Sequence, residues 1–518
     1  MTTTDPNFLL SLILALPLLG ALAVSLLSRE QASLVKGTGL FFAVLSFLSS
    51  VWLFVAFNPG NAEMQFVEKY PWIPSLDISY HLGVDGISLL LVALTAFLTP
   101  IALLASWSSI QHRLKGFVIS MLLLEVGTVG VFMTLDLFLF YAFWEFMLIP
   151  MYFIIGVWGG EERIYAAIKF FLFTMSGSLL MLVAIIWLGS YASNVPGGYF
   201  TTDLTILMTI APGIPMQIQN WMFLAFALSF CIKIPLFPLH TWLPDAHVQA
   251  PTAGSVILAA VLLKMGTYGL VRFCLPLFPY ATLTFLPYIA ALAVVGIIYG
   301  ALVSMVQPDL KKLVAYSSVS HLGFVVLGLL AITGEGMQGG VLQMINHGLS
   351  TGALFLLVGM IYERRHTKLI ADFGGLAKVM PVFASFFMIV MLSSVGLPGL
   401  NGFVGEFLIL LGAFSSSYLG TPWFAVFGAT GVILAAVYLL LSYQKVFFGK
   451  VTNPGNQGLS DLSVREIVVL VPVVVFIVWI GFYPNTFLEK SALASGKIVK
   501  VVEDARRGSF PVAFRQEK

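Results

Sequence analysis

The chain is a near-unbroken succession of apolar runs, each about 20 residues long, joined by short polar segments. A helix of that length crosses the ~30 Å hydrocarbon layer of a bilayer. Of the 518 residues, 59% are hydrophobic and 10% charged, where a soluble domain carries about 25% charged residues. The sequence predicts an all-α polytopic membrane protein. It holds fourteen spans, centred roughly on residues 17, 46, 95, 125, 147, 178, 230, 262, 292, 321, 350, 395, 433 and 474. The first run is long enough to span, and no A-x-A site follows it, which favours a retained helix over a cleaved signal. With a net charge of +2, nothing points to a nucleic-acid partner. Cys231 and Cys274 lie in or beside apolar runs and belong to no CxxC or Cys/His cluster, so they read as packing residues.

Basic residues give an orientation. Loops 1–2, 3–4, 5–6, 7–8, 9–10, 11–12 and 13–14 hold 14 of them, including Arg29, Lys36, Arg113, Lys115, Lys311, Lys312, Arg364 and Arg365, while the other loops hold only Lys69 and Arg272. The positive-inside rule puts the first set in the cytoplasm and both termini outside. Seven more basic residues between Lys490 and Lys518 run against this and read as an amphipathic surface segment. The acidic segment from Asn58 to Leu82 contains YPWIPSLDISY, a candidate extended or hairpin element on the outer face.

Against this apolar background a few ionisable residues stand out. Glu125 lies in span 4, Glu145 in span 5, Lys233 in span 7, Lys264 in span 8, His321 in span 10, His347 in span 11 and Glu406 in span 12. A charge at the centre of a lipid-exposed helix costs about 2.5–3.5 kcal/mol or more, so each should face other helices or water. Lys264 is about nine residues from either end of its span and cannot snorkel, whereas Lys169 in span 6 can. Asp136, between spans 4 and 5, suits a helix N-cap, and Pro150 suits a kink close to Glu145.

Two spans are interrupted beside such a residue. Pro235, Pro238, Pro244 and Pro251 follow Lys233, and Gly396, Pro398, Gly399, Gly402 and Gly405 precede Glu406. Spans 4–8 and 9–13 form two sets of five with the breaks in corresponding places. An odd number of helices per set inverts the second, a pattern that places an ion or substrate path at the midplane.

Pairing of the seven residues to fix helix packing is the plain structural explanation. Seven such residues on successive helices favour chemistry instead, because apolar residues pack as well at lower cost. Burial and charge pairing shift a lysine and a glutamate in opposing ways. Making or breaking a Glu145–Lys233 pair therefore changes how readily the lysine gives up a proton. Lys264, His321 and His347 can relay it, and Glu406 can pass it to the other side. His240, Asp245 and His247 have no third strong ligand, so they read as ordering a turn rather than binding metal. There is no GxGxxG, Walker A or cysteine ligand set, hence no nucleotide, flavin or iron–sulfur site.

The stretches WEFMLIPMYFIIGVWGG, KIPLFPLHTWLPDAHVQAPTAGSVILAAVLLKMGTYGL, DLKKLVAYSSVSHLGF, NHGLSTGALFLLVGMIYERRHT and GLPGLNGFVGEFLIL closely resemble the antiporter-like membrane-arm subunits of respiratory complex I, the NADH–quinone oxidoreductase, within its subunit M/chain 4 family. The likeness covers roughly residues 80 to 450. It implies fourteen helices in two inverted five-helix repeats and one proton channel. It also implies Glu145 and Lys233 as the input pair, Lys264 as the central lysine, and His321 and His347 on the connecting axis. Glu406 would be the output residue, where sister subunits usually carry lysine, and Glu125 matches a further family glutamate.

On this likeness the chain is a non-redox, proton-translocating subunit of the NADH:quinone oxidoreductase, driven by quinone reduction elsewhere. It would hold no cofactor itself, while NADH, FMN, iron–sulfur clusters and quinone belong to other subunits. Its partners would be neighbouring membrane-arm subunits and the lipid bilayer, and its place the bacterial inner (plasma) membrane. A subunit of a multisubunit cation/proton antiporter or membrane-bound hydrogenase is the alternative. The expected organisation is helices 1–3 in residues 1–115, the first repeat in 116–275, the inverted repeat in 280–450, and helix 14 with the tail in 451–518.

Overall fold

The computed structural model describes residues 8–508. Arg515 and Lys518 of the basic tail lie outside them. Helices α1 (Leu9–Leu26) and α2 (Ala32–Ala56) precede an antiparallel hairpin, β1 (Gln65–Ile73) and β2 (Ile78–Val84). Then come α3 (Gly86–Ala105), α4 (Leu114–Met133), α5 (Leu137–Trp158), α6 (Arg163–Ser193), α7 (Met216–Lys233), α8 (Trp242–Gln249), α9 (Thr252–Leu277), α10 (Pro279–Met305), α11 (Leu310–Leu330) and α12 (Gly334–Arg365). The chain ends with α13 (Pro381–Val395), α14 (Asn401–Ser415), α15 (Trp423–Phe447), α16 (Val464–Phe482) and α17 (Asn485–Arg507).

Among the described residues, twelve helices are long and apolar enough to cross a membrane. This is a multi-pass, all-α membrane protein with one small hairpin. Two predicted spans are each delivered as two shorter pieces. Span 7 is α7 plus α8, and the opening of α7 is polar, with Gln217, Gln219 and Asn220. Span 12 is α13 plus α14, of 15 residues each.

Caps explain where many helices start. Asp136 accepts from the Phe138 and Leu139 amides, as its sequence position foretold. Asp85 does the same for Ile87 and Ser88, and Asp309 for Lys312. Ser463 and Glu466 form a reciprocal capping box at the start of α16. Helix α5 is interrupted at Met147, three residues before Pro150, whose missing N–H leaves the preceding turn one hydrogen bond short.

Helices α9 and α12 are buried along their full apolar windows, and α11 over 94% of its window, whereas α1, α2, α15 and α16 are mostly open. The core is thus three helices deep in the bundle, and Lys264, His321 and His347 are carried by those three.

Side chains join the loops into two faces. On one, the Lys36 ammonium reaches the Trp107 carbonyl, Lys115 reaches Leu27, Lys311 reaches Ala250, and Arg364 grips Glu466 at 2.6 Å. This basic face gathers the loops that the charge count had grouped. On the other, the Leu10 amide donates to Glu68 of β1, the Gln219 carbonyl accepts from Tyr280 and Ala281, and Lys490 of α17 donates to Phe57. The first and last described helices both begin on this hairpin face. The tail read as an amphipathic surface segment is α17, which lies over the starts of α3, α10 and α12 and buries Phe487, Ser491, Ile498 and Val502.

Asp203 ties the hairpin down. Lys69 of β1 donates to its carboxylate at 2.7 Å and His81 of β2 lies 3.0 Å away, with Thr205 closing a third bond. Burial alone would raise its pKa, but these three partners outweigh it and hold the group well below the usual carboxylate range. A lowered native pKa contributes stability above the unfolded value of about 3.9, lost only as pH falls toward the native value. Protection factors of the β1–β2 amides, with the intrinsic pH dependence of exchange divided out, should therefore stay flat from pH 7 to pH 5. Asp203→Asn should lower them across that whole range, by an amount on the order of 1–3 kcal/mol. Wild-type protection that falls steeply between pH 7 and 5 would contradict this assignment.

Candidate functional site: a line of buried ionisable side chains

Helix α9 is not a uniform α-helix. Leu258–Leu262 and Leu270–Cys274 are π-helical turns flanking the α-segment Leu263–Gly269. A π-turn leaves carbonyls out of the usual ladder and is frequent at functional sites. Here the Lys264 ammonium fills the gap, donating to the Ala259 carbonyl at 2.6 Å and meeting His347 Nδ1 at 2.5 Å.

The His347 ring stands 5.9 Å from that of His321, centroid to centroid. His321 Nδ1 in turn lies 3.3 Å from Glu406 Oε1, which also accepts from Gln343 Nε2 at 3.3 Å. The four predicted residues Lys264, His347, His321 and Glu406 thus form one line across α9, α12, α11 and α14. Each is buried. A void of about 10 Å³ borders His321, Asn346, His347 and Ser350, about the room one water needs.

Glu406 sits against the break between α13 and α14. Gly396 turns the chain there with φ +82, and a Cβ at that position would lie 2.8 Å from Glu406 Oε2. Asn401, fully buried, holds the break together. Its side-chain oxygen accepts from Ser393 at 2.5 Å, its amide faces Ser350, and its backbone carbonyl accepts from Asn346 at 2.7 Å.

Lys233 has Glu145 within electrostatic range, without a direct bond between the two. It is the last residue of α7 and is wholly buried. Its ammonium lies over the rings of Phe170 at 5.1 Å and Trp144 at 5.5 Å, with Met147 Sδ at 3.8 Å. No ion pair within 4.0 Å joins it to Glu145, whose Oε1 has no hydrogen-bond partner among the described residues. Met147, at the interruption of α5, occupies the contact. Gly266 of α9, two residues from Lys264, packs on the Phe230 carbonyl in the last turn of α7. The two lysines are therefore on touching helices, with no direct bond between them among the described residues.

The remaining candidates divide. Glu125 lies off the line, bonded to Ser46 of α2 at 2.8 Å. Asp245, read as a turn-ordering residue, pairs with Lys169 at 2.6 Å. Lys169 thus anchors the broken segment instead of snorkelling. His247 stacks on Phe355 at 4.4 Å, and His240 packs beside Phe237 and Tyr299. No group of three metal-ligating residues occurs among the described residues.

Sequence reading passed over Gln343, Asn401 and the buried Arg272–Asp85 pair (2.5 Å). The Asn401-Gly402 dipeptide inside a break was the one available signal for Asn401.

The geometry is that of a charged polar line within a membrane bundle, and comparison with known proteins agrees. The profile of the family described as "NADH:quinone oxidoreductase/Mrp antiporter, TM" matches residues 134–435, and the chain belongs to this family. It is 46% identical over 492 residues to "NADH-quinone oxidoreductase subunit M" of Rhodobacter capsulatus, covering 92% of this chain and 93% of that one. It is 44% identical to "NADH-ubiquinone oxidoreductase chain 4" of Arabidopsis thaliana, covering 93% and 95%. Among solved structures, "Respiratory complex I from Thermus thermophilus with bound NADH" contains a chain with TM-score 0.85 and 33% identity, covering 96% of this chain and 100% of that one.

Asn401→Leu removes the bonds to Ser393 and Ser350 while keeping the volume close. Each buried polar group left unpaired costs about 1–3 kcal/mol, so the purified protein should melt several degrees lower. An unchanged melting curve would show that this network is not what holds the break.

Proposed function

We propose that the chain is a proton-translocating, non-redox subunit of an NADH:quinone oxidoreductase in the bacterial inner membrane. The observation that carries this reading is the continuous contact Lys264–His347–His321–Glu406, running from a helix with an opened backbone to a helix with a broken one. A proton shared between Lys264 and His347 can pass to His321 through a short reorientation or one water, and from there to Glu406. The aromatic box around Lys233 disfavours an added charge less than aliphatic burial would, because ring faces attract a cation. Approach of Glu145 would stabilise the protonated lysine and its retreat would release the proton.

In this reading the two interrupted helices count as spans, giving fourteen crossings. The side-chain links of the first and last described helices to the hairpin face support an even number. The five-helix sets, residues 116–275 and 280–450, would form inverted repeats, with 1–115 and 451–518 flanking them. The basic face would be cytoplasmic and the hairpin face outside. Quinone reduction by other subunits, which would hold FMN and iron–sulfur clusters, would drive the transfers. Neighbouring membrane subunits would be its partners. The family description also includes Mrp antiporters, so a cation/proton antiporter subunit is the second reading. Recovery of flavin and iron–sulfur subunits with the tagged chain excludes it.

In the assembled complex, Lys233→Ala and Glu145→Ala should each lower quinone reductase turnover and proton pumping together, at least fivefold, without loss of subunits on native gels. Full activity in either variant would sink the reading. Glu406→Gln should likewise suppress pumping, since an amide cannot accept and release the proton that His321 delivers.

A further inference from the structure

An apolar groove of about 280 Å³ opens on the membrane-facing side between α2, α3, α12 and α16. Phe54, Leu94, Phe97, Ile345, Phe476 and Trp479 are among the side chains that line it, and every lining residue is apolar or aromatic. Val51, Val55 and Trp479 are exposed at its rim, so it communicates with the hydrocarbon and not with water. Its volume is at the low end for ligand pockets, which run from about 300 Å³ upward. That suits one alkyl chain and excludes a bulky ring.

The groove ends at the hairpin face under Phe487 of α17. One turn further along α17, the Lys490 ammonium lies 5.1 Å from the ring centre of Phe54, itself a wall of the groove, and 5.9 Å from that of Phe57. It donates to the Phe57 carbonyl at 3.2 Å and makes no ion pair among the described residues. An ammonium has three donors, so two remain for an anion. Beside this end, Phe482 and Tyr483 are largely exposed, in the manner of the aromatic belts that mark a membrane interface.

We propose that this groove is a binding site for an anionic phospholipid of the leaflet on the hairpin side. One acyl chain fills the apolar channel, and the phosphate is held by Lys490. The occupant follows from charge and depth together: an all-apolar cleft at the level of the chains, capped at the level of headgroups by a cation lacking an acidic partner.

Photolabelling in native membranes tests this with two probes, phosphatidylglycerol and phosphatidylcholine, each carrying a diazirine midway along one acyl chain. In the wild-type protein, phosphatidylglycerol should label peptides from α3 and α16 at least threefold more than phosphatidylcholine. Lys490→Gln should bring the two probes level. Ala93→Phe, which fills the groove, should cut labelling by both at least fivefold. Equal labelling by the two probes in wild type, or labelling that survives Ala93→Phe, would mean ordinary annular lipid and overturn the site. Lys490→Gln alters a half-buried residue outside the groove lining and stays informative even if the groove variant fails to assemble.

Discussion

Interrupting a helix inside a bilayer strands carbonyl groups where water cannot serve them, and each stranded group costs several kcal/mol. At three of the interruptions among its described residues, this protein supplies a donor to the freed backbone. After α7, the Trp242 indole donates to the Ile232 carbonyl at 2.9 Å and the Leu236 amide to that of Cys231. In α9 the Ala259 carbonyl takes the Lys264 ammonium. At the second break the Leu397 and Gly396 amides serve the Leu392 and Ser393 carbonyls at the end of α13. At Lys264 the ionisable residue and the opened backbone are mutual solutions, each satisfying the polarity that the other introduces.

The placement of the three most enclosed helices follows from the same need. A lysine and two histidines cannot face lipid, so α9, α11 and α12, which carry them, are surrounded, and the lipid-facing work falls to helices such as α2 and α15. Their uncharged apolar faces are what a bilayer tolerates.

Much of this was legible in the chain. Both breaks announce themselves through proline and glycine, which act on backbone whatever surrounds them. The hairpin at YPWIPSLDISY and the cap at Asp136 are likewise local rules, visible without tertiary context. What escaped depends on neighbours far away in sequence. The π-turns of α9 escaped because a glycine or proline beside a helical turn, such as Gly269 and Pro276 around the second one, does not distinguish an extra residue in the turn from a simple kink. Glu125 finds Ser46 and Asp245 finds Lys169, partners that spacing along one helix cannot name. Lys233 was matched with Glu145 on charge, and that acid is its electrostatic neighbour, but the side chain in direct contact with its ammonium, Met147, could not be foreseen. Span 7 carried its polar residues at one end, so its second half reads as a separate short helix.

The clasp on the hairpin face bears on how such a chain is made. Lys490 and Phe57 are 433 positions apart, and the backbone of Lys490 lies so close to Gly86 that no side chain fits at that glycine. Ribosomes release segments in order, so the earliest helices wait, half-covered, until α17 has been synthesised. Contacts of such long range form slowly. A protein truncated late in translation would hold every residue of the polar line and still lack its lid, leaving the starts of α3, α10 and α12 uncovered.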